Sequence, residues 1–131
     1  MIGLDTNIIV RYLAQDDPVQ SRQATHIMER RLTEARPGFI SLVTMAKTVW
    51  VLDQIYGLST DDIVTAVERI LGADALFVQN EHQVFAAIVS LKTGVGSFPD
   101  ALIGALGEWA GCTTTLTFDK KATRMKAFQL A

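Results

Sequence analysis

The chain has 131 residues, of which 49% are hydrophobic and 20% are charged. This length supports one domain with a sizeable core, so we expect a single domain over residues 1–131. The net charge of −2 gives no sign of a strongly basic nucleic-acid-binding protein, although a local basic patch can exist under a neutral total. No apolar run is long enough to span a bilayer and no secretory signal is visible, which predicts a cytoplasmic protein with no membrane association.

The cysteine and histidine content argues against a disulfide-stabilised protein and against a zinc protein. The single cysteine, Cys112, cannot form an internal disulfide, and its place just before an apolar strand predicts a buried, inert thiol. His26 and His82 have no Cys or His neighbours at metal-ligand spacing, so we do not expect a zinc site.

The first half of the chain begins with a predicted strand, Met1–Leu4, that leads into a predicted helix, Thr6–Ala14, with Asp5 at the junction. Asp17-Pro18-Val19-Gln20 is typical of a capping box with proline in the first helical turn. The remaining elements predicted here are a helix that ends at Pro37-Gly38, a strand Phe39–Leu42, a helix over 43–57 and a helix capped by Ser59.

In the second half, strands and helices continue to alternate. The predicted elements are a strand Leu76–Val78, a helix capped by Asn80, a helix from Ser97 to Gly111, a strand Thr113–Phe118, a short helix Lys120–Lys126 and an edge strand Phe128–Leu130. The alternation and the apolar character of the strands predict an α/β fold. We expect three layers, α/β/α, with a mainly parallel sheet of four to five strands buried on both faces.

The helix over 43–57 carries apolar residues on nearly all sides, since Val49, Trp50, Val51 and Leu52 are consecutive. A helix that lay on the surface would show a single apolar stripe. Either this helix is wholly buried, or it covers the core with one face and a partner with the other. In so small a chain we favour a homodimer built partly on this helix.

Three aspartates lie at sequence positions that a parallel sheet would bring close together. Asp5 and Asp119 each follow a predicted strand, and Asp100 lies in the first turn of a helix. Each has a simpler reading as a helix cap or first-turn acid. If they converge, the repelling carboxylates need a cation, and hard oxygen ligands suit Mg²⁺ or Mn²⁺, which can activate water against a phosphodiester.

The motifs disfavour one other phosphate chemistry and exclude a second. A phosphatase that uses an aspartyl nucleophile would carry a second acid two residues after Asp5, where this chain has Asn7. The sequence also lacks the Gly-x-x-x-x-Gly-Lys-Ser/Thr pattern of a P-loop.

The ordered set Leu4-Asp5-Thr6-Asn7, Phe98-Pro99-Asp100-Ala101-Leu102-Ile103 and Thr117-Phe118-Asp119 resembles the PIN-domain family, in particular the toxins of VapBC-type toxin–antitoxin pairs. The resemblance covers nearly the whole chain. It implies a metal-dependent endoribonuclease that cuts structured RNA such as tRNA or ribosomal RNA, is usually dimeric and is neutralised by a small antitoxin. It also implies that Asp5, Asp100 and Asp119 are the catalytic, metal-binding carboxylates, and that Asn7 and Thr117 orient them.

The sequence departs from the family at two positions. The family usually has a Glu early in the helix after the second strand, where this chain has Lys47, and the residue before Phe98, often an acid, is Ser97. A protonated lysine has no lone pair for a metal. We expect Lys47 to pair with Asp5 or Asp100 and to leave a folded, weakly metal-binding and largely inactive protein. The alternative is a catalytically silent PIN-fold protein that dimerises and binds an antitoxin.

Basic residues near the aspartates are candidates for RNA contact. Arg11 lies one helical turn after Asn7, so the two share a helix face. Four further candidates follow Asp119 in the sequence, namely Lys120, Lys121, Arg124 and Lys126. For this second group, a solvated role that compensates the helix dipole is about as well supported as phosphate contact.

Overall fold

The computed structural model describes all 131 residues, which fall into two units, Met1–Gln79 and Asn80–Ala131. The first unit contains three short parallel strands in the order β1 (Ile2–Gly3), β2 (Gly38–Ile40) and β3 (Leu76–Val78). In their register Gly3 pairs with Phe39, and Phe39 pairs with Phe77. The carboxyl ends of β1 and β2 therefore meet at the same edge of this sheet.

Four α-helices connect and follow these strands: α1 (Thr6–Ala14), α2 (Pro18–His26), α3 (Leu42–Trp50) and α4 (Thr60–Leu71). Two of them continue into a π-helical turn, α2 into Ile27–Arg31 and α3 into Val51–Ile55. The apolar faces of strands and helices form the core of this unit, which includes Ile9, Ile40, Met45, Leu52 and Val67.

The helix starts follow from side-chain capping. The Asp17 carboxylate accepts hydrogen bonds from the backbone N–H groups of Val19 and Gln20, and Ser59 accepts one from Asp62. In a capping box, the backbone N–H of Asp17 would donate to the side chain of Gln20. Here it donates to Ser21 Oγ at 3.3 Å instead. These bonds satisfy N–H groups that have no partner inside the helix.

The second unit pairs α5 (Glu81–Lys92) with α6 (Phe98–Trp109) and holds two parallel strands, β4 (Thr115–Thr117) and β5 (Phe128–Leu130). Phe98 is fully buried at the start of α6. Gly104 lets α6 lie directly on β5, because a Cβ at this position would come within 2.9 Å of the Phe128 ring.

The predicted α/β class and its parallel strands are confirmed, with differences in detail. The strands pair in two sheets, of three and two strands, where the sequence predicted one. The predicted helix Lys120–Lys126 is shortened to a single 3-10 turn, Ala122–Arg124. Asn80 begins α5 from a left-handed conformation and makes no side-chain capping bond. None of the helices has the length and apolar character that crossing a membrane requires.

The expected burial of Cys112 is wrong, since the residue is exposed. Cys112 follows Gly111, which ends α6 with a positive φ of 97°, and it precedes the strand rather than lying in it. The cysteine therefore lies in a surface turn, where the apolar strand that follows does not cover it.

The centre of the three-stranded sheet gives a test of packing. A Cβ on Gly38 would lie 2.8 Å from a methyl of Leu32 and 2.9 Å from a methyl of Leu4, both buried, whereas a Cβ on Gly3 would meet nothing within 4 Å. We therefore expect Gly38→Ala to lower the free energy of unfolding by about 1–3 kcal/mol because it overpacks the core. Urea denaturation measures the change, and Gly3→Ala, which should be neutral or slightly stabilising, is the matched control.

Candidate functional site

Asp5 occupies the junction between β1 and α1. Leu4 is buried, and its backbone N–H donates to the Phe39 carbonyl at 2.9 Å, which ties the chain to β2 just before the turn. Asp5 then caps α1, since its Oδ1 accepts a hydrogen bond of 2.7 Å from the backbone N–H of Thr6. The carboxylate is exposed, with one oxygen held by the cap. The cap role and the functional role predicted from sequence are therefore compatible in one side chain.

Asp5 lies in a cleft of about 290 Å³ within the first unit. Residues from α1 form one side of the cleft, and residues from α3 and its π-helical turn form the other. Its polar residues are Asp5, Thr6, Asn7, Arg11, Lys47 and Tyr56. The structure thus brings together four residues singled out in the sequence, Asp5, Asn7, Arg11 and Lys47, and Asp5 is the single acid among them.

Lys47 is exposed at this cleft. The ion pair of the first unit joins Arg11 to Asp16, so the predicted ion pair of Lys47 with Asp5 is not present, and the alternative pair with Asp100 stays a prediction. The physical reason is solvation: an exposed ammonium and an exposed carboxylate gain little by pairing, and one Asp5 oxygen is already committed to the cap. Lys47 therefore contributes an uncompensated positive charge to the cleft.

Thr6 is a feature of the cleft that sequence reasoning did not identify. Only 5% of this residue is exposed, and its hydroxyl oxygen has no hydrogen-bond partner. A buried hydroxyl without a partner costs about 1–3 kcal/mol. Nothing in the sequence distinguishes this threonine from the many that are satisfied.

Arg11 is held by a network rather than projecting freely. Its Nη1 lies 3.2 Å from an Asp16 oxygen and donates to the Tyr56 hydroxyl at 3.1 Å, while its Nε donates to the Gln20 side-chain oxygen at 2.8 Å. Tyr56 in turn donates to Asp16 at 2.7 Å. The network joins α1, the segment before α2 and the end of the π-helical turn after α3. The guanidinium of Arg11 is therefore largely neutralised, and its role as an RNA contact stays a prediction.

The network changes the acidity of its members. The hydrogen bond from the Tyr56 hydroxyl holds the pKa of Asp16 below its ordinary value, and the same bond raises the pKa of Tyr56. A carboxyl whose pKa is lowered in the folded state adds stability above its unfolded-state pKa, and this stability is lost as the pH falls through the folded-state pKa. For Asp16 that window lies in the acid range, at and below its ordinary value of 3.8.

In the second unit, Asp119 follows β4 as predicted. Its backbone N–H donates to Thr117 Oγ1 at 3.0 Å, and its Oδ1 accepts from the backbone N–H of Lys121 at 2.9 Å. Thr117 is thus placed to orient the turn that carries Asp119. The four basic candidates that follow Asp119 are all exposed, namely Lys120, Lys121, Arg124 and Lys126.

Asp100 lies in the first turn of α6, where its backbone N–H donates to the capping Ser97 hydroxyl at 3.3 Å. The sequence departure at Ser97 thus has a structural role as the helix cap. Neither unit holds three or more His, Cys, Asp or Glu side chains grouped to bind a metal ion. The convergence of Asp5, Asp100 and Asp119 stays a prediction.

The parallel strands alternate with helices, and an exposed aspartate follows β1 and another follows β4, which defines an α/β protein with acids at its strand-to-helix junctions. The family model for the PIN domain matches residues 2–127, and the chain therefore belongs to the PIN-domain family. Neither a curated protein nor a solved structure matches the chain. PIN domains are generally metal-dependent nucleases, so the family assigns this chain a nuclease-type fold.

The Arg11 network gives a test that does not depend on function. We expect Tyr56→Phe to raise the pKa of Asp16 toward its ordinary value, because the mutation removes the hydroxyl that donates to the carboxylate. The stability that Asp16 adds near neutral pH, and that is lost on acidification, should then be smaller, because the folded-state pKa moves toward the unfolded-state pKa. An NMR titration of the Asp16 carboxyl carbon measures the pKa. Tyr12→Phe is the control, since the Tyr12 hydroxyl makes only a long 3.5 Å contact with Glu29; an equal shift in both variants would contradict the assignment.

Proposed function

We propose that this chain is a PIN-family ribonuclease of the toxin–antitoxin type whose catalysis is impaired by Lys47. The observation that carries the proposal is the position of Lys47 in the same cleft as Asp5 and Asn7. In the unimpaired activity that we propose, Asp5, Asp100 and Asp119 would hold Mg²⁺ or Mn²⁺, and this ion would activate water for cleavage. Asn7 and Thr117 orient them.

The donor set of the cleft does not fit a divalent cation well. A glutamate at position 47 would bring a second carboxylate beside Asp5, whereas Lys47 brings an ammonium that has three donors and no acceptor. Relative to the family pattern, the site loses two negative charges. The other cation of the cleft, Arg11, is already neutralised by Asp16, so Lys47 is the group that opposes metal binding.

The remaining groups in the proposal act on the RNA. Lys120, Lys121 and Arg124 are exposed beside Asp119 and can contact backbone phosphates. The proposed substrate is a structured RNA, the proposed place of action is the cytoplasm, and the proposed partner is a small antitoxin protein. The carboxylates are negatively charged and do not bind the RNA phosphates directly. The proposal therefore assigns phosphate contact to these basic residues.

The second candidate function is a catalytically silent PIN-fold protein that dimerises and binds an antitoxin. Exposed apolar side chains on α3 and its π-helical turn supply the surface that this candidate requires: Val43 is 78% exposed, Trp50 54% and Ile55 65%. Apolar residues exposed together on one helical segment are typical of an interface. The same surface is the basis for the homodimer that we propose under either function.

Replacing Lys47 by glutamate separates the two candidates. We expect Lys47→Glu to raise Mn²⁺ affinity by about tenfold or more, because it replaces a repelling ammonium by a ligand carboxylate, a difference of about 1.4 kcal/mol or more. Calorimetric titration measures the affinity, and incubation with total RNA and Mg²⁺ or Mn²⁺ should show cleavage that chelator stops and Asp5→Ala abolishes.

Lys92→Glu, an exposed lysine in the last turn of α5, is the matched control for the same charge change. Efficient RNA cleavage by the unmodified chain at ordinary Mg²⁺ levels, with no gain from Lys47→Glu, would contradict the impairment. If Lys47→Glu binds metal but cuts no RNA, the silent binding protein is the better account.

The proposed homodimer can be tested separately through its mass in solution. Light scattering at micromolar concentration should give twice the 14.4 kDa mass of the chain. We expect Trp50→Lys to give the monomer mass, because it places a charge in the apolar surface of α3. Trp109→Lys, at a tryptophan of α6 that is similarly exposed, should leave the dimer intact. A monomeric mass for the unmodified chain would refute the dimer.

A further inference from the structure

Helices α1 and α2 enclose a groove of about 690 Å³ in the first unit. Its apolar lining comes from Ile8, Ala24 and Ile27, and its polar lining includes Arg22, Gln23 and His26. The three polar residues are exposed, so they are accessible from solution. The groove is therefore an open channel with an aliphatic surface and polar side chains along one helix.

The charge of the groove differs from that of the unit around it. The first unit carries ten acidic and seven basic side chains, yet no acid lines the groove. Arg11 also lines it, but the guanidinium of Arg11 is paired with Asp16. Arg22 is thus the free cation of an acid-free surface, which favours an anionic occupant.

The groove adjoins the cleft that holds Asp5. Asn7 and Arg11 line both, and they lie one turn apart on α1, a rise of about 6 Å. An extended strand placed in the cleft at Asp5 can therefore follow α1 directly into the groove. A phosphodiester chain that is the proposed substrate of the cleft fits this arrangement, because one part of it already occupies the cleft beside the groove.

The side chains of the groove match the parts of a nucleotide. Gln20, which also lines the groove, has its carbonyl oxygen fixed by Arg11 Nε at 2.8 Å, so its NH₂ group is held as a donor. Gln23 offers both a donor and an acceptor for base edges. The guanidinium of Arg22 suits a phosphate, and the aliphatic surface can pack against base faces.

We propose that the α1–α2 groove binds a single-stranded RNA segment that leaves the Asp5 cleft, with Arg22 on a phosphate and the amides of Gln20 and Gln23 on bases. This inference rests on the proposed ribonuclease function and adds to it a binding site outside the acidic residues. Because no carboxylate lines the groove, RNA binding here does not require a divalent ion.

The test is fluorescence anisotropy of a short labelled single-stranded RNA with the full chain in chelator. We expect Arg22→Ala to weaken binding about threefold to tenfold and to reduce the slope of log affinity against log salt by about 1. Gln23→Ala should weaken binding with the salt slope unchanged. Arg36→Ala, an exposed arginine of the same unit that does not line the groove, is the matched control, and thermal unfolding checks that each variant is folded.

The outcomes separate this inference from the function on which it rests. Equal affinities for Arg22→Ala, Gln23→Ala and Arg36→Ala, with RNA still bound, would overturn the groove but leave the ribonuclease proposal standing. No RNA binding by the unmodified chain or by Lys47→Glu would overturn both. If a labelled polyglutamate peptide binds and Arg22→Ala weakens the peptide but not the RNA, the occupant is a protein and the inference is wrong.

Discussion

The close parallel pairing of β1 with β2 is the constraint from which the candidate site follows. Gly38 has no side chain, and Leu4, Leu32 and Leu76 fill the space around it. Because β1 is held against β2 up to Leu4, the next residue must leave the sheet and begin α1. Asp5 is that residue, and capping α1 fixes one of its oxygens while leaving the carboxylate exposed.

The two cations of the Asp5 cleft, Arg11 and Lys47, differ in their hydrogen-bond and ion-pair partners. Arg11 donates hydrogen bonds to Asp16, Tyr56 and Gln20, and the carboxylate of Asp16 offsets its charge. Lys47 has no such partners and remains a free ammonium. The electrostatic character of the cleft therefore depends on position 47, where a single substitution changes the sign of the charge beside Asp5. Under the function that we propose, this asymmetry makes the cleft a poor site for a divalent ion.

Local signals in the sequence predicted much of the fold. The caps at Asp17, Ser59 and Ser97 and the alternation of apolar strands with helices depend on neighbouring residues, and the structure confirms them. The exposure of Cys112 was mispredicted, because a strand just after a residue does not decide whether a turn is covered. The link between Asp16 and Tyr56 could not be predicted, since these residues lie 40 positions apart and meet only through the packing of α1 and α3.

Paramagnetic NMR with Mn²⁺ tests most directly whether Lys47 keeps a divalent ion away from Asp5. The ion broadens amide signals near its binding site, and the amides of Thr6 and Asn7 adjoin the Asp5 carboxylate in sequence. We predict that Mn²⁺ leaves these two signals sharp in the unmodified chain and broadens them selectively in Lys47→Glu. Selective broadening of both signals in the unmodified chain, at the same Mn²⁺ concentration as in Lys47→Glu, would contradict the account.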